Sequence, residues 1–463
     1  MAFSLDEGFH LLASQLINRG KSPYLDFCFP QPPLNAYWNA AWMRTFADSW
    51  RIPHILAALL VGGAVMLAAG FIFSHFPVPQ WRLACALATA FMVAVSVPVV
   101  QFGTVQAYGM CLFLMVAAFR VSVLTVDRKN FLVPLSAGLL AGGAAASSLL
   151  TAPLAPVLLV WMLVYNGIGS RFIKSVAFLL GMTIPFLPVL RLFIKAPRVV
   201  FFNLVEYQLL YRRVHWEGAT PHDIDVLTSW INSSQALLIG GLAIIGLLFI
   251  RSARDWEPRL RAEFFLSGWL AFALTAYLAS THPTFERYFL LAVPFSAIPA
   301  SVGLYALASH LGNRDRRPLW PTILLIAFFC LGLAKTLYDD RHSYKWRDYE
   351  KIAAKVEEVT PRNATLFADE VIYFLTRRPP PSGMEFSYSH KLELPPSFAA
   401  SLHIISQREL DRSIKTGAFS TIATCADDDR IEQLGLERLY AHQAEVSDCS
   451  VFWGIRKLGS SSK

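Results

Sequence analysis

The sequence predicts an all-α polytopic membrane protein that carries a small soluble α/β domain at its carboxyl end. Three observations predict it. Of the 463 residues 54% are hydrophobic and only 16% are charged, which is too apolar for a water-soluble chain of this length. The apolar residues are gathered into charge-free runs such as ILAALLVGGAVMLAAGFIF, about the twenty residues that a helix needs to cross roughly 30 Å of hydrocarbon. After about Tyr338 the pattern changes to short apolar runs separated by polar or proline-rich stretches.

The opening stretch, 1–51, is polar and mildly amphipathic. Ser4 precedes Asp6, Glu7 and the apolar Phe9, Leu11 and Leu12, the pattern of a helix N-cap with acids in the first turn. The same carboxylates suit a general base toward a hydroxyl, or a hold on a divalent cation. SPYLDFCFPQPP follows and sets Tyr24, Asp26 and Gln31 among prolines. Prolines keep such a loop extended and kinked, with its aromatics at the membrane edge.

Runs of spanning character come next, near 52–73, 82–100, 105–126, 132–150, 152–166, 172–194, 236–250, 264–281, 286–308 and 318–337, about ten in all by hydropathy. Those at 152–166 and 236–250 are short and read as tilted or partial helices. Small residues in AGLLAGGAAASS and GGLAIIG suit close helix approach in lipid. The tail opens with KWRDYEKIAAKVEEVTP, where Tyr349, Ile352, Ala353, Val356 and Val359 recur at helical spacing. ATLFAD, SLHIIS, FSTIATC and CSVFWGI then alternate with polar loops, the signature of a small α/β domain. The expected organisation is a first loop at 1–51, a transmembrane domain at 52–337 and a soluble domain at 338–463.

Charge sets the direction. The formal charge of +8 sits largely in short loops: Arg128 with Lys129, Arg171 with Lys174, a third loop with Arg251, Arg254, Arg259 and Arg261, and a fourth with Arg314, Arg316 and Arg317. Counting spans puts all four on one side, which the positive-inside rule assigns to the cytoplasm. The opposite, exported side receives 1–51, the stretch from Lys195 to Gln235, the turn before Tyr288, and everything after Tyr338. An amino end on that side implies either a further helix ahead of it, which is the expectation, or a following span that draws it across. Export would also allow Cys425 and Cys449 to pair. Cys85, Cys111 and Cys330 lie in or beside apolar runs and read as small hydrophobic packers.

Several chemistries are excluded. No P-loop, strand-borne GxGxxG, HExxH or GxSxG occurs. Basic residues confined to loops between spans argue against nucleic acid as a partner. Two basic clusters remain on the exported side. NLVEYQLLYRRVHWEG interleaves Arg212, Arg213 and His215 with aromatics, which suits a structural surface helix or one that meets anionic lipid phosphate. THPTFERYFLL carries His282, Glu286, Arg287 and Tyr288. An arginine at the end of a span is costly unless it pairs, and Glu286 or a phosphate would satisfy Arg287. The acidic run at 427–429 after FSTIATC reads as a solvated loop.

A DE-containing start, PYLDFCFPQPP before the next span, and an HxxxxRY turn before a late span together resemble the integral-membrane glycosyltransferases of the GT-C superfamily. The branch nearest in pattern contains the lipid A aminoarabinose transferases and the bacterial relatives of protein O-mannosyltransferases. The resemblance implies a GT-C-like helical bundle and a bacterial inner-membrane enzyme whose site faces the periplasm. It implies a polyprenyl-phosphate-linked sugar donor and a lipid, glycan or protein acceptor among membrane lipids. Carried over by position, it makes Asp6 the catalytic carboxylate, with Glu7 supporting it or sharing a divalent cation. Tyr24, Asp26 and Gln31 would line a first-loop cavity, and His282, Arg287 and Tyr288, with Arg212 or Arg213, would face the donor phosphate. Many relatives have an acid in the segment matching FGTVQAYGM, whereas this chain has Gln101, Gln106 and Tyr108. The rival expectations are a transporter or flippase of polyprenyl-linked sugars, and a non-catalytic relative lacking the first helix. A transporter should carry ionisable groups near the bilayer centre, and these runs hold few.

Overall fold

The computed structural model describes residues 5–126, 130–311, 319–342, 345–425, 428–447 and 449–456. The basic residues Arg128, Lys129, Arg314, Arg316 and Arg317, and Asp427 of the acidic run, lie outside the described residues.

Helix α1 (Leu5–Asn18) begins at the acidic pair, and α2 (Leu34–Thr45) follows the proline-rich loop. The first long apolar run is α3 (Arg51–His75). The run expected over 82–100 is two helices, α4 (Arg82–Ala94) and α5 (Val97–Phe102). Pro98 lacks an N–H, and its ring would strike the carbonyl four residues back, at Ala94, so the first helix stops there. Helices α6 (Tyr108–Leu124), α7 (Leu132–Ser147) and α8 (Leu154–Tyr165) take up the next three runs. Next, α9 (Ile168–Thr183) and α10 (Leu187–Lys195) join through a tight turn at Pro185 into one apolar stretch, Gly169–Lys195.

A short α11 (Pro197–Phe201) leads into a π-helix over Phe202–Tyr211. Beyond it come α12 (Ala219–Asn232), α13 (Ser234–Ser252) and α14 (Pro258–Ser280). A 3-10 segment, Glu286–Ala292, opens α15 (Val293–His310), and α16 (Leu319–Asp339) is the last long helix. Each of the ten expected runs is therefore helical. Among the described residues six apolar helical stretches are long enough to cross a membrane, and the stretch expected to be partial at 236–250 is one of them, as Ser234–Ser252. The runs 82–100, 105–126, 132–150 and 152–166 form shorter helices, because serine, glycine and proline punctuate their ends.

The chain divides into two compact units. One comprises Pro53–Leu190 and Trp216–Arg341. Its helices meet where glycine removes the side chain: a Cβ on Gly246 would lie 2.0 Å from the Pro299 carbonyl oxygen, and one on Gly303 would lie 1.9 Å from that of Leu242. Of the glycines in GGLAIIG only Gly246 makes such an approach, since Gly240 and Gly241 have open space beside them. The interior is also less free of charge than the hydropathy pattern implies. Glu263, 3% exposed, lies 3.1 Å from Arg259 and 3.8 Å from His75. Lys174, expected as an exposed orientation charge, is buried and donates to the Thr125 carbonyl at 2.6 Å and to Asn166 at 2.7 Å. The long aliphatic stem lets its ammonium reach inward and satisfy carbonyls left open at a helix end. Cys85 and Cys111 pack as expected, whereas Cys330 is exposed on the apolar surface of α16.

The other unit comprises Met1–Ile52, Arg191–His215 and His342–Lys463. Helix α17 (Trp346–Val359) buries Tyr349, Ile352, Ala353 and Val356, the stripe its spacing predicts. Asp348 accepts from the Lys345 N–H at 3.1 Å and closes its first turn. Strand β1 (Leu366–Phe367) and helix α18 (Glu370–Thr376) follow. Strands β2 (Thr421–Thr424), β3 (Tyr440–Val446) and β4 (Cys449–Ile455) complete a sheet of order β1-β2-β4-β3. Strands β1 and β2 are parallel, and β4 lies antiparallel to both β2 and β3. SLHIIS, which reads as one of the alternating apolar runs, forms no strand. The polar YAHQAEV does, as an edge strand closed onto β4 by a tight turn with Ser447 at φ 50°. Register places Thr424 opposite Ser450, so the flanking Cys425 and Cys449 come together and are joined in a disulfide.

Candidate functional site

Two clusters of chemistry-bearing residues form, one within each unit. In the first, α1 and α18 run side by side in the same direction. A Cβ on Gly8 would lie 2.9 Å from the Val371 nitrogen. Gln15 donates to the Phe374 carbonyl at 3.2 Å and Arg19 to that of Arg377 at 2.8 Å. The pair Asp6-Glu7 therefore begins α1 at the same end at which Asp369-Glu370 begins α18. Glu7 is 3% exposed, while the Asp6 side chain lies outside the described residues. Phe9 packs edge-on to Phe386, and His10 edge-on to Phe29.

Nothing local in the sequence marks the second acidic pair as functional. Burial, with the charge of Glu370 beside it, pushes Asp369 up to about 7. Glu370 accepts from the Ser387 N–H at 2.6 Å. Burial also raises Glu385, which accepts from the Gly383 N–H at 2.8 Å. A DE dipeptide at 369–370 is the signal that could have found this pair, but it sits in a tail that otherwise reads as an ordinary soluble domain.

The proline-rich loop is held from two directions. Tyr24, fully buried at φ 70°, donates its hydroxyl to the Gln31 carbonyl at 2.7 Å. Asp26 is exposed and accepts from the Ser22 N–H at 2.6 Å, a turn bond. Across the loop, Asn203 accepts from the Phe29 N–H at 3.0 Å, and Gln208 donates to the Pro30 carbonyl. Both come from the π-helix, a form whose wider turn is frequent at functional sites. The structure thus brings Tyr24 and Gln31 together with the segment that leads to Arg212. Arg213 and His215 are exposed beyond it. Lys391, which the sequence reading omits, donates its ammonium to the Arg212 carbonyl, and burial followed by the Arg212 charge lowers its pKa.

The second cluster lies where α12 meets the turn ahead of Glu286–Ala292. Asp223 on α12 accepts from the His282 Nδ1–H with one carboxylate oxygen and from the Thr284 N–H, at 2.7 Å, with the other. One turn face away, His222 donates Nε2–H to the Thr284 carbonyl at 3.1 Å. Trp216, His222 and Phe285 pack ring to ring, with centroids 5.0 to 6.2 Å apart. The Arg287 guanidinium lies 4.4 Å over the Phe285 ring. Tyr288 is buried with its ring 5.4 Å from Phe285. Neither Asp223 nor His222 is prominent in the sequence.

The segment FGTVQAYGM has no acid of its own, yet Gln101 donates to Asp340, which arrives from the end of α16. Among the described residues no three or more His, Cys, Asp or Glu side chains are grouped so as to hold a metal ion.

No family model matches the chain, and no curated protein is significantly similar to it. Solved structures do match. The chain superposes on ArnT from Cupriavidus metallidurans in the apo state with a TM-score of 0.68 at 14% identity, covering 98% of this chain and 95% of that one. The same enzyme bound to undecaprenyl phosphate gives 0.67 over the same shares. The oligosaccharyltransferase AglB from Archaeoglobus fulgidus aligns at only 0.48, at 14% identity, over 92% of this chain and 66% of that one. The chain therefore shares the fold of ArnT, as the resemblance carried by the DE start and the PYLDFCFPQPP loop implies.

Proposed function

We propose that the chain is a membrane glycosyltransferase that moves a sugar from a polyprenyl-phosphate donor to an acceptor, with inversion at the anomeric carbon, on the exported face of a bacterial inner membrane. The observation that carries the reading is the match to ArnT along 98% of the chain, one form of which holds undecaprenyl phosphate. A lipid-borne donor also agrees with a sequence that has spanning helices and no nucleotide cradle. In this reading Asp6 is the catalytic carboxylate that takes the proton of the acceptor hydroxyl, and Glu7 supports it. Tyr24, Asp26 and Gln31 belong to the first-loop wall. Arg287 and Tyr288, together with His282, Arg212 and Arg213, meet the donor phosphate, where a guanidinium can bind two oxygens at once. The acceptor is a lipid, glycan or protein.

The test is release of undecaprenyl phosphate from undecaprenyl-phosphate-linked glucose, mannose and aminoarabinose by the purified protein in sealed proteoliposomes, with a heat-treated envelope extract supplying lipid, glycan and protein acceptors. Wild type should release it from at least one probe. Asp6→Asn should lower turnover by about 100-fold or more, the scale of a lost general base, while membrane insertion is unchanged. Undiminished turnover in Asp6→Asn would remove Asp6 from the chemistry. Movement of an intact probe across the bilayer, with no release by wild type, would replace transfer with transport.

A further inference from the structure

His282 and Asp223 are 59 residues apart in sequence, yet the carboxylate of Asp223 is bound to the imidazole Nδ1–H. Its other oxygen is fixed by the Thr284 N–H, so the acid cannot rotate away. The Asp223 side chain is 14% exposed and that of His282 is 30% exposed, which leaves the inner nitrogen engaged and the ring partly open. The Nε2 of His282 has no hydrogen-bond partner among the described residues. Five residues on, Arg287 rises from the same turn and lies over Phe285. A carboxylate that accepts from Nδ1–H fixes the orientation of the ring, and when the ring carries both protons its outer nitrogen is a directed proton donor.

We propose that His282, held by Asp223, is the acid that delivers a proton to the departing phosphate of the lipid-linked sugar. This rests on the polyprenyl-phosphate reading above and adds to it a catalytic role for His282 and a positioning role for Asp223. The donor is a phosphodiester with one negative charge. As the acceptor oxygen bonds to the anomeric carbon, the bond from that carbon to the phosphate oxygen breaks and its electron pair stays on the phosphate. The acceptor hydroxyl proton goes to the general base. The Nε2 proton of His282 goes to the phosphate, which leaves as the polyprenyl phosphate monoanion instead of the dianion. The neutral imidazole regains a proton from solvent, and the base returns one to it. Arg287 supplies charge to the phosphate without transferring a proton, since a guanidinium does not titrate in this range.

The other titratable or charged groups on the elements packed here are His222 and Asp225 on α12, Glu286, Arg287 and Tyr288 on the 3-10 segment, Tyr108, Cys111 and Arg120 on α6, Arg251 on α13, Arg259, Arg261, Glu263 and Tyr277 on α14, and Tyr305 and His310 on α15. His222 already donates to the Thr284 carbonyl, so its Nε2 is committed. Of the two imidazoles His282 is the one bound by a carboxylate.

The experiment measures kcat and donor KM for undecaprenyl phosphate release in proteoliposomes supplied with a heat-treated envelope extract as acceptor. His282→Gln should lower kcat by about 100-fold or more with donor KM within about threefold, the scale of a lost general acid. Asp223→Asn should lower kcat by about tenfold or more with donor KM within about threefold, because the imidazole loses the acceptor that orients it. Asp223→Glu should restore most of kcat. Binding of undecaprenyl phosphate to each variant certifies the fold, and if His282→Gln does not bind it the split of kcat from KM in Asp223→Asn decides alone. A kcat within threefold of wild type in His282→Gln, or in Asp223→Asn, would overturn the proposal while leaving lipid-linked transfer intact. Absence of release from every probe by wild type would instead overturn the transfer reading and this step with it.

Discussion

At the scale of single residues the sequence exposes what is adjacent and hides what is distant. Asp6 and Glu7 stand out as neighbours, and so do Arg212 with Arg213 and Arg287 with Tyr288. Asp223 and Lys391 do not, because their partners, His282 and Arg212, arrive from elsewhere in the chain. Asp369 carries a consequence of its burial that no local pattern announces. Its folded value of about 7 lies above the ordinary aspartate value of 3.8, so its protonated form is the one the fold favours. A raised acid contributes its full stability below the unfolded value and loses it as pH rises through the folded one. Stability of the unit that holds it should therefore fall between about pH 4 and pH 7, and raised Glu385 acts in the same sense. Asp369→Asn removes the titration. In thermal unfolding it should sit close to wild type at pH 4.5 and above it at pH 8, by roughly 2–4 °C for each kcal/mol recovered. Equal melting temperatures at pH 8 would mean that Asp369 is solvated.

Elements were legible to the degree that hydropathy alone decides them. Every run of spanning character is helical, and α17 buries all of the stripe its spacing predicts except Val359, which is half-buried. Breaks and partners were harder. The interruption between α4 and α5 depends on one proline, and β3 is a polar edge strand with little apolar signal to read. The π-helix at Phe202–Tyr211 has no sequence signature and became visible only through the loop bonds of Asn203 and Gln208. Small residues read as packing sites in general, but not which of them. Helices α13 and α15 meet through Gly246 and Gly303, each of whose Cβ would fall about 2 Å from a facing carbonyl. In lipid such pairs bring backbones together when apolar side chains gain nothing by leaving the bilayer. Gly246→Val should force the helices apart and cost about 1–3 kcal/mol, the range for overpacked interiors, whereas Gly240→Val on the same helix should cost little. Melting of the two variants in detergent separates them, and equal losses would show that helix propensity, not contact, is at stake.

For the whole molecule, the sequence carries direction through charge, while the structure supplies a covalent marker of compartment. The loops that set orientation are partly outside the described residues, and Lys174 is spent on buried carbonyls, so the charge argument leans on Arg171, Arg251, Arg254, Arg259 and Arg261. The Cys425–Cys449 disulfide tests the same direction independently. Disulfides persist in oxidising compartments and are reduced in the cytosol. The bridge closes a loop with a sequence separation of 24, for which chain entropy gives about 3.5 kcal/mol of stabilisation. Thiol labelling on cells lysed in excess maleimide should leave Cys425 and Cys449 unmodified until reductant is added, whereas Cys330, exposed and unpaired, reacts in detergent without reductant. Replacing both bridged cysteines with serine should lower the melting temperature without abolishing insertion, because the apolar helices that direct insertion are untouched. The labelling decides more than the bridge. If Cys425 and Cys449 are alkylated without reductant in cells whose periplasmic proteins are oxidised, the terminal domain lies in the cytosol. Asp369, Lys391 and the amino-terminal carboxylates packed in the same unit would lie there with it, and a donor presented on the exported face would be out of their reach.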